Sequence, residues 1–472
     1  MLFSSLIFLF VFLPLSILIY YISPRKLKNL VLLTFSLFFY GYGEPKYLIV
    51  MLFSIGANYL LGLLVHIFRE SKSKLKLVLI ATALVNLGII GYYKYADFII
   101  TNINAGLGMS LPIMNIIMPI GISFFTFQGM SYVIDVYRGE GVVQKNPLNV
   151  ALYISLFPQL IAGPIVRYET VAEQINYREE TLDGFTYGIE RFILGLSKKV
   201  LIANTVGLIA DEIFNSPINE MSTLLAWIGI LSYTFQIYFD FSGYSDMAIG
   251  LGNMFGFKFL ENFNYPYISK SVSEFWRRWH ISLSTWFRDY VYIPLGGNRV
   301  NSLKYLRNII VVWFLTGLWH GAAWNFIAWG LYYGVILIIE KFIIGKYLKE
   351  LPNLFQHIYT MIFVILGWLL FRSENITYAY NYFMIMIGQN DTSLISQKAL
   401  YYLMEYKFEL GLAFIASFPL YPMIIEKIDG KDTFFSKVLK GHVKPILLMG
   451  LLLTCTMYLI NSTFNPFIYF RF

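Results

Sequence analysis

The chain has 472 residues, of which 57% are hydrophobic, 18% aromatic and only 14% charged, whereas a soluble globular domain carries about 25% charged residues. With a mean hydropathy of +0.60 it has too little polar surface for solution, which excludes a soluble enzyme, a disordered chain and a secreted disulfide scaffold and leaves an all-α, polytopic membrane protein. The net charge of +8 fits cytoplasmic loops enriched in Lys and Arg better than nucleic-acid binding.

Met1 to Ile22 is nearly all apolar, with no basic residue before it and no small-residue cleavage site; Arg25, Lys26 and Lys28 follow it instead. That order predicts a retained transmembrane helix with its N-terminus outside, not a secretory signal. Further apolar runs lie near 30–42, 46–67, 77–93, 111–130, 148–163, 186–210, 222–239, 308–320, 323–343, 356–371, 409–425 and 445–460. A full span needs about 20 apolar residues, so the shorter runs are read as tilted or re-entrant, and the total as about 11–13 transmembrane or re-entrant helices.

Basic clusters at 25–28, 69–76, 304–307, 341–349 and 427–444 test this topology. If all are cytoplasmic, even numbers of crossings must separate neighbours. Two helices fit between 28 and 69, joined at Gly41-Tyr42-Gly43-Glu44-Pro45, and two more fit between 349 and 427. One last helix then leaves the C-terminus outside. No repeat of 20–50 residues is evident, which weakens a transporter built from inverted repeats.

In so apolar a chain the polar interruptions are the informative residues, and they gather between 236 and 325. Gln236-Ile-Tyr-Phe-Asp240-Phe-Ser-Gly-Tyr-Ser-Asp246 places carboxylates within and just after an apolar run. The stretch from Ser273 to Arg299 carries Glu274, Trp276, Arg277, Arg278, His280, Ser284, Arg288 and Asp289 before Pro294, Gly296 and Gly297 end it. Read as one helix, it stacks Trp276, His280, Ser284 and Arg288 on one face, with Glu274 and Arg278 paired at i, i+4. Two readings of Arg277 and Arg278 stand: an amphipathic helix at the interface, or the wall of a polar cavity inside the protein. A lipid-facing Arg at the bilayer centre, costing about 2.5–3.5 kcal/mol, is excluded.

Thr316-Gly-Leu-Trp319-His320-Gly-Ala-Ala-Trp-Asn325 lies between two apolar runs flanked by Arg307 and Lys341, which puts His320 well into the membrane. A lone buried His is most often structural. Here Gly317, Gly321, Ala322 and Ala323 remove bulk around it and permit close approach. His280 and His320 form no H-x-x-x-H pair, and no third ligand sits at metal spacing, so base chemistry is expected and no metal. No P-loop and no G-x-S-x-G elbow occurs, and Cys455, set in an apolar run, offers no credible nucleophile.

At these residues the chain resembles the membrane-bound O-acyltransferase superfamily, in its bacterial branch of alginate and peptidoglycan O-acetylation and teichoic acid D-alanylation. The resemblance rests on Phe275-Trp-Arg-Arg-Trp-His280-Ile-Ser-Leu-Ser and Trp319-His320-Gly. It extends to Met1-Leu-Phe-Ser-Ser, Phe39-Tyr-Gly-Tyr-Gly43, Pro119-Ile-Gly-Ile-Ser-Phe-Phe-Thr-Phe-Gln128 and Phe157-Pro-Gln-Leu-Ile-Ala-Gly-Pro164. It implies a ring of helices around a thin central region with a tunnel joining the two membrane faces. His320 is then the catalytic residue and His280 the second functional position, with a role left open between orienting His320, holding the acyl group and stabilising an oxyanion.

The same resemblance implies one membrane-embedded acyltransferase domain over 1–472, with N-terminal helices in 1–100, a catalytic core in 112–345, C-terminal helices in 356–460 and an extracytoplasmic aromatic tail in 461–472. Tunnel or acyl-donor contacts are expected from Gln236, Asp240, Trp276, Arg277, Arg278, Ser284, Arg288, Asp289, Trp319 and Asn325. The tail Asn465-Pro-Phe-Ile-Tyr469-Phe-Arg471-Phe472 reads either as an interfacial anchor or, by the resemblance, as an acyl relay through Tyr469, although Arg471 stands where such tails commonly carry Gln.

The expected reaction is acetyl transfer from a cytoplasmic thioester, acetyl-CoA, to an exported polysaccharide in a bacterial cytoplasmic membrane, with no bound cofactor and an extracytoplasmic hydrolase-like partner. D-alanyl transfer to teichoic acid is the alternative within the family. A polysaccharide or lipid flippase is the alternative from another class.

Overall fold

The computed structural model describes residues 1–161, 163–389, 393–429, 438–462 and 464–468, and it is helical, with no strand among them. Seven helices among the described residues are long and apolar enough to cross a membrane: Pro45–Ile67, Lys72–Leu107, Leu182–Phe214, Thr223–Met254, Trp324–Glu350, Asn353–Arg372 and Gly441–Asn461. The pair Lys407–Ala416 and Leu420–Lys427, bent by 57°, makes an eighth if it is one span. The protein is an all-α, multi-pass membrane protein. It divides into two compact units, Met1–Phe192 with Ser245–Glu261, and Ile193–Tyr244 with Asn262–Phe472.

In the first unit, small residues let helices approach closely. The Pro45–Ile67 and Lys72–Leu107 helices are joined by a reciprocal amide pair, Asn58 and Asn86, at 2.9 and 3.0 Å. Such pairing satisfies two buried amides that an apolar environment would otherwise penalise. Against this pair lies the Ile122–Arg138 helix, where a Cβ on Gly129 would clash with Asn58 and one on Gly62 would strike the ring of Tyr132.

The apolar run near 111–130 does not form one span, which corrects the sequence expectation. Residues 109–119 are non-helical, because Pro112 and Pro119 lack donors and the Asp97 carboxylate draws the N–H groups of Met114 and Ile116 at 2.9 and 2.8 Å. The helix begins only after Gly121, whose φ of +73° is accessible to glycine at low cost. The run near 148–163 is likewise cut to the nine-residue helix Pro147–Ser155, ahead of Pro158.

In the second unit the sequence expectation is exceeded. The run near 222–239 continues as a 32-residue helix to Met254, leaving this unit after Tyr244, so Asp240 and, beyond the unit's edge, Asp246 are interior to a helix. Asp240 is neutralised across the unit by Lys199 at 2.6 Å, both side chains being 2% exposed. The hairpin Ser302–His320 and Trp324–Glu350 packs through glycine. A Cβ on Gly317 would lie 2.5 Å from the carbonyl oxygen of Phe326, and one on Gly330 would collide with that of Trp313.

Candidate active site

The stretch carrying His280 is not one helix. It forms Val272–Arg278 and Ile281–Phe287, with Trp279 extended and His280 left-handed at φ +45° and ψ +53° between them. For a residue with a Cβ this conformation costs about 1–3 kcal/mol unless its surroundings hold it. The first short helix is fastened at its start. Ser271 Oγ accepts from Glu274 N at 3.0 Å, and the buried Glu340 carboxylate accepts from Val272 N, Ser273 N and Ser273 Oγ at 2.6–2.9 Å. A carboxylate at these free N–H groups also meets the positive end of the helix dipole.

Asn262 holds the break itself. Its Oδ1 accepts from the backbone N–H of Ser282 at 3.1 Å and from Ser282 Oγ at 2.9 Å, and its carbonyl accepts from Ile281 N at 2.9 Å. His280 Nδ1 lies 3.2 Å from the same Oδ1. The Ser282 N–H can only donate, so that atom of Asn262 is an acceptor. Nδ1 of His280 therefore carries the proton and Nε2 is left as the basic nitrogen.

His320 ends the Ser302–His320 helix, and its Nδ1 lies 2.7 Å from the carbonyl oxygen of Thr316 one turn earlier. A carbonyl cannot donate, so Nδ1 donates and Nε2 again holds the lone pair. The ring is wedged among aromatics, 4.7 Å from Trp329 and 5.3 Å from Phe371 between centroids. Trp319 packs edge-on against both histidines, 4.9 Å from His320 and 5.9 Å from His280.

The two histidines meet at one cavity of about 240 Å³, lined also by Trp276, Arg277, Ser284 and Arg288. The four residues expected on one helical face do converge, but through a broken helix: Ser284 Oγ donates across the break to the carbonyl of Trp276 at 3.4 Å. Of the two arginines read as a possible cavity wall, Arg277 lines this cavity and Arg278 does not. His320 also lines a second cavity of about 20 Å³ with Ile237, Phe241, Trp279 and Ile468, room for a water-sized group.

Other expected site residues sit elsewhere. Arg278 pairs with Glu274 at 2.9 Å, as the i, i+4 spacing predicts, and donates to Asn264 O. Asp289 takes both its oxygens to Arg288, at 2.7 and 3.0 Å, and so steadies a cavity residue. Asn325 is buried and donates to Ser373 O at 2.9 Å. Gln236 lies against Gly207, where a Cβ would meet its amide at 2.7 Å. Asp240 accepts from the backbone N–H of Ile468 at 2.8 Å while pairing with Lys199, whose ammonium also donates to Pro466 O. Tyr469 lies outside the described residues.

A sequence model of the membrane-bound O-acyltransferase family matches residues 143–380, a range that contains both histidines and every residue of the larger cavity. This chain belongs to that family. The acyltransferase is 44% identical over 398 residues to a protein of Azotobacter vinelandii named "Probable alginate O-acetylase", covering 84% of this chain and 79% of the relative. It is 38% identical over 434 residues to the peptidoglycan O-acetyltransferase of Helicobacter pylori, covering 84% and 81%. It is 33% identical over 283 residues to the teichoic acid D-alanyltransferase of Bacillus subtilis, covering 56% and 71%. It is a multi-pass O-acyltransferase of a bacterial membrane.

Four groups that hold the candidate site or its surroundings had escaped the sequence reading. Asn262 lies 18 residues before His280 in a segment with no motif, and the Thr316 carbonyl is backbone. Glu340 was counted only as a residue of an apolar run. Lys199 had a usable signal, a basic residue interrupting the apolar run of 186–210.

Proposed function

We propose that the protein transfers an acetyl group from acetyl-CoA to a hydroxyl of an exported or cell-wall polysaccharide, with His320 as general base. The observation that carries this reading is that His320, its Nδ1 committed to Thr316 O, borders both the cavity with Arg277 and Arg288 and the small cavity with Ile468. The two guanidinium groups suit the phosphates of the donor. The N–H of Trp276, buried and without an acceptor among the described residues, suits the thioester carbonyl as negative charge builds on its oxygen.

In the reaction His320 Nε2 takes the hydroxyl proton as the oxygen attacks the thioester carbon. The carbon–sulfur bond breaks, and the proton passes from the imidazolium to the leaving thiolate, giving an ester and a thiol. Trp276, Trp313 and Phe287 in the cavity wall suit the exclusion of water, which would otherwise hydrolyse the thioester. His280, whose Nε2 carries a lone pair and cannot donate to an oxyanion, orients the acyl group through the same cavity. The donor enters from the cytoplasm, both chain termini lie outside, and a separate extracytoplasmic hydrolase-like protein completes delivery to the polymer.

Tyr469 follows Ile468 directly, and Ile468 lines a cavity with His320. This adjacency supports a relay in which the Tyr469 hydroxyl takes the acetyl group from the thioester and yields it to the acceptor hydroxyl. Acetyl transfer is preferred to D-alanyl transfer because the relatives named for O-acetylation match 84% of the chain and the D-alanyltransferase 56%.

The test is transfer from radiolabelled acetyl-CoA by purified wild type, His320→Ala and His320→Gln. Loss of about 10²–10⁴-fold in kcat in both variants, with folding intact by size exclusion and thermal melting, supports the reading. Undiminished transfer by the variants removes His320 as the base, and substrate movement across vesicles without any acylated product overturns the reading in favour of a flippase.

A further inference from the structure

The first unit contains a second polar cavity, of about 250 Å³, whose walls include Arg25, Lys26, Lys28, Asn149, Asn176 and Arg178. None of these residues lines either cavity at the histidines. A bias of cytoplasmic loops toward Lys and Arg accounts for exposed charges such as Arg25 and Lys26. It does not account for a buried arginine or for a wall of asparagine amides.

Among the described residues one carboxylate, Glu180, is paired with these cations. Glu180 lies 3.5 Å from Arg25, 3.2 Å from Lys28 and 3.8 Å from Arg178, while Lys26 has no carboxylate within reach among the described residues. Four cations against one anion leave an excess of three positive charges around this cavity. The charges are held in place. Arg178, with a side chain only 4% exposed, donates from Nε to Tyr20 Oη at 2.9 Å and to Phe255 O at 3.1 Å, and from Nη1 to Asn29 Oδ1 at 2.7 Å. Asn29 donates to Asn149 at 3.0 Å and Asn149 to Asn176 at 3.0 Å. This chain of amides joins the segment after the first helix to the Tyr168–Tyr177 helix and fixes the wall before any ligand arrives.

From the charge excess and this rigid wall we infer that the Arg25–Lys28 and Arg178 cavity binds a phosphate group. Two strongly exposed side chains flank these residues in sequence: Ile22, 72% exposed, stands three positions before Arg25, and Tyr177, 83% exposed, directly precedes Arg178. Apolar and amphipathic side chains left exposed in a membrane protein suit a lipid boundary, so the phosphate is assigned to the headgroup of an anionic phospholipid. A soluble phosphate compound would use the same wall without a lipid boundary.

The test uses the purified full chain in detergent, and native mass spectrometry with dioleoylphosphatidylglycerol and with dioleoylphosphatidylcholine, each with and without millimolar inorganic phosphate. We expect saturable retention of phosphatidylglycerol over phosphatidylcholine by about tenfold. Lys26→Glu should lower that preference at least tenfold and Lys26→Arg should keep it, with melting temperature and acetyl transfer unchanged in both. Displacement of the lipid by inorganic phosphate, or saturable phosphate binding that Lys26→Glu abolishes, supports the same site with a soluble source. Equal retention of the two lipids together with no phosphate binding, or a Lys26→Glu variant that binds like wild type, overturns the inference.

Discussion

His320 donates from Nδ1 to the carbonyl oxygen of Thr316 at 2.7 Å, and that one hydrogen bond decides which nitrogen of the catalytic candidate is basic. The acceptor is backbone, so no side-chain substitution at 316 removes it. The proton stays on Nδ1 and the lone pair on Nε2 as long as the last turn of the helix persists. Gly321 follows at once, where a Cβ would collide with the Phe326 ring, so the chain reverses and leaves the imidazole at the helix end.

Asn262 is expected to act as a positioning residue. Asn262→Ala strips acceptors from Ser282 N–H and His280 Nδ1–H, at a cost of about 1–3 kcal/mol for the buried group left unpaired, and releases the left-handed His280. Steady-state kinetics should show kcat for acetyl transfer down about tenfold or more with KM for acetyl-CoA within about twofold of wild type. Asn262→Asp retains the acceptor oxygen and should recover most of the thermal stability. A variant altered in melting temperature alone would make Asn262 purely structural.

Arg277 and Arg288 should separate binding from chemistry. Hydrogen bonds to charged groups contribute about 1.5–3 kcal/mol each, so Arg277→Gln or Arg288→Gln should raise KM for acetyl-CoA by about ten- to a hundredfold with kcat nearly constant. Arg278→Gln, which breaks a pair with Glu274 outside the cavity, should leave KM unchanged. Equal effects of all three substitutions would deny the cavity its role.

The Lys199–Asp240 pair is buried on both sides. Removing one partner leaves an uncompensated charge, and Lys199→Met alone should cost about 3–5 kcal/mol, read as a fall in melting temperature in detergent. Lys199→Met with Asp240→Leu should restore most of that stability but not acetyl transfer, because the backbone N–H of Ile468 loses its acceptor. Full activity in the double variant would show that the tail needs no such anchor.

Glu180 supplies the pH dependence. Burial opposes its ionisation, but the Tyr20 hydroxyl and the Lys28 ammonium outweigh burial and hold its carboxyl below the ordinary value of 4.5. A depressed carboxylate stabilises the fold above the unfolded value and loses that contribution as pH falls through the folded one. Melting temperature should therefore drop from pH 6 toward pH 3 in wild type. Glu180→Gln should melt lower at pH 6, with Arg25, Lys28 and Arg178 unbalanced, and the two curves should converge in acid.

How much of this was legible in the residues differs from feature to feature. The glycines and alanines after Trp319 announced a close approach at His320, and the spacing of Glu274 and Arg278 announced their pair. The one-face reading of Trp276, His280, Ser284 and Arg288 named the right four residues for a cavity while assuming a helix that is broken at His280. The break has no local signal, since neither proline nor glycine stands there; Asn262, from another segment, holds it. The run of 111–130 looked long enough to span by hydropathy, yet Pro112, Pro119 and the side chain of Asp97 divert it.

By itself the sequence determined that this chain is a bundle of helices in a membrane, that its intramembrane polarity is concentrated between Gln236 and Asn325, and that two histidines stand at its centre. Those properties are local, set by composition, by apolar run length and by which residues interrupt a run. Tertiary structure alone decided which nitrogen of each histidine is basic, that Lys199 neutralises Asp240, and that Ile468 shares a cavity with His320. Each of these depends on a hydrogen bond, an ion pair or a packed wall formed in the folded chain, mostly between distant segments. Such contacts depend on the directions in which helices carry their side chains, which no spacing along a single segment records.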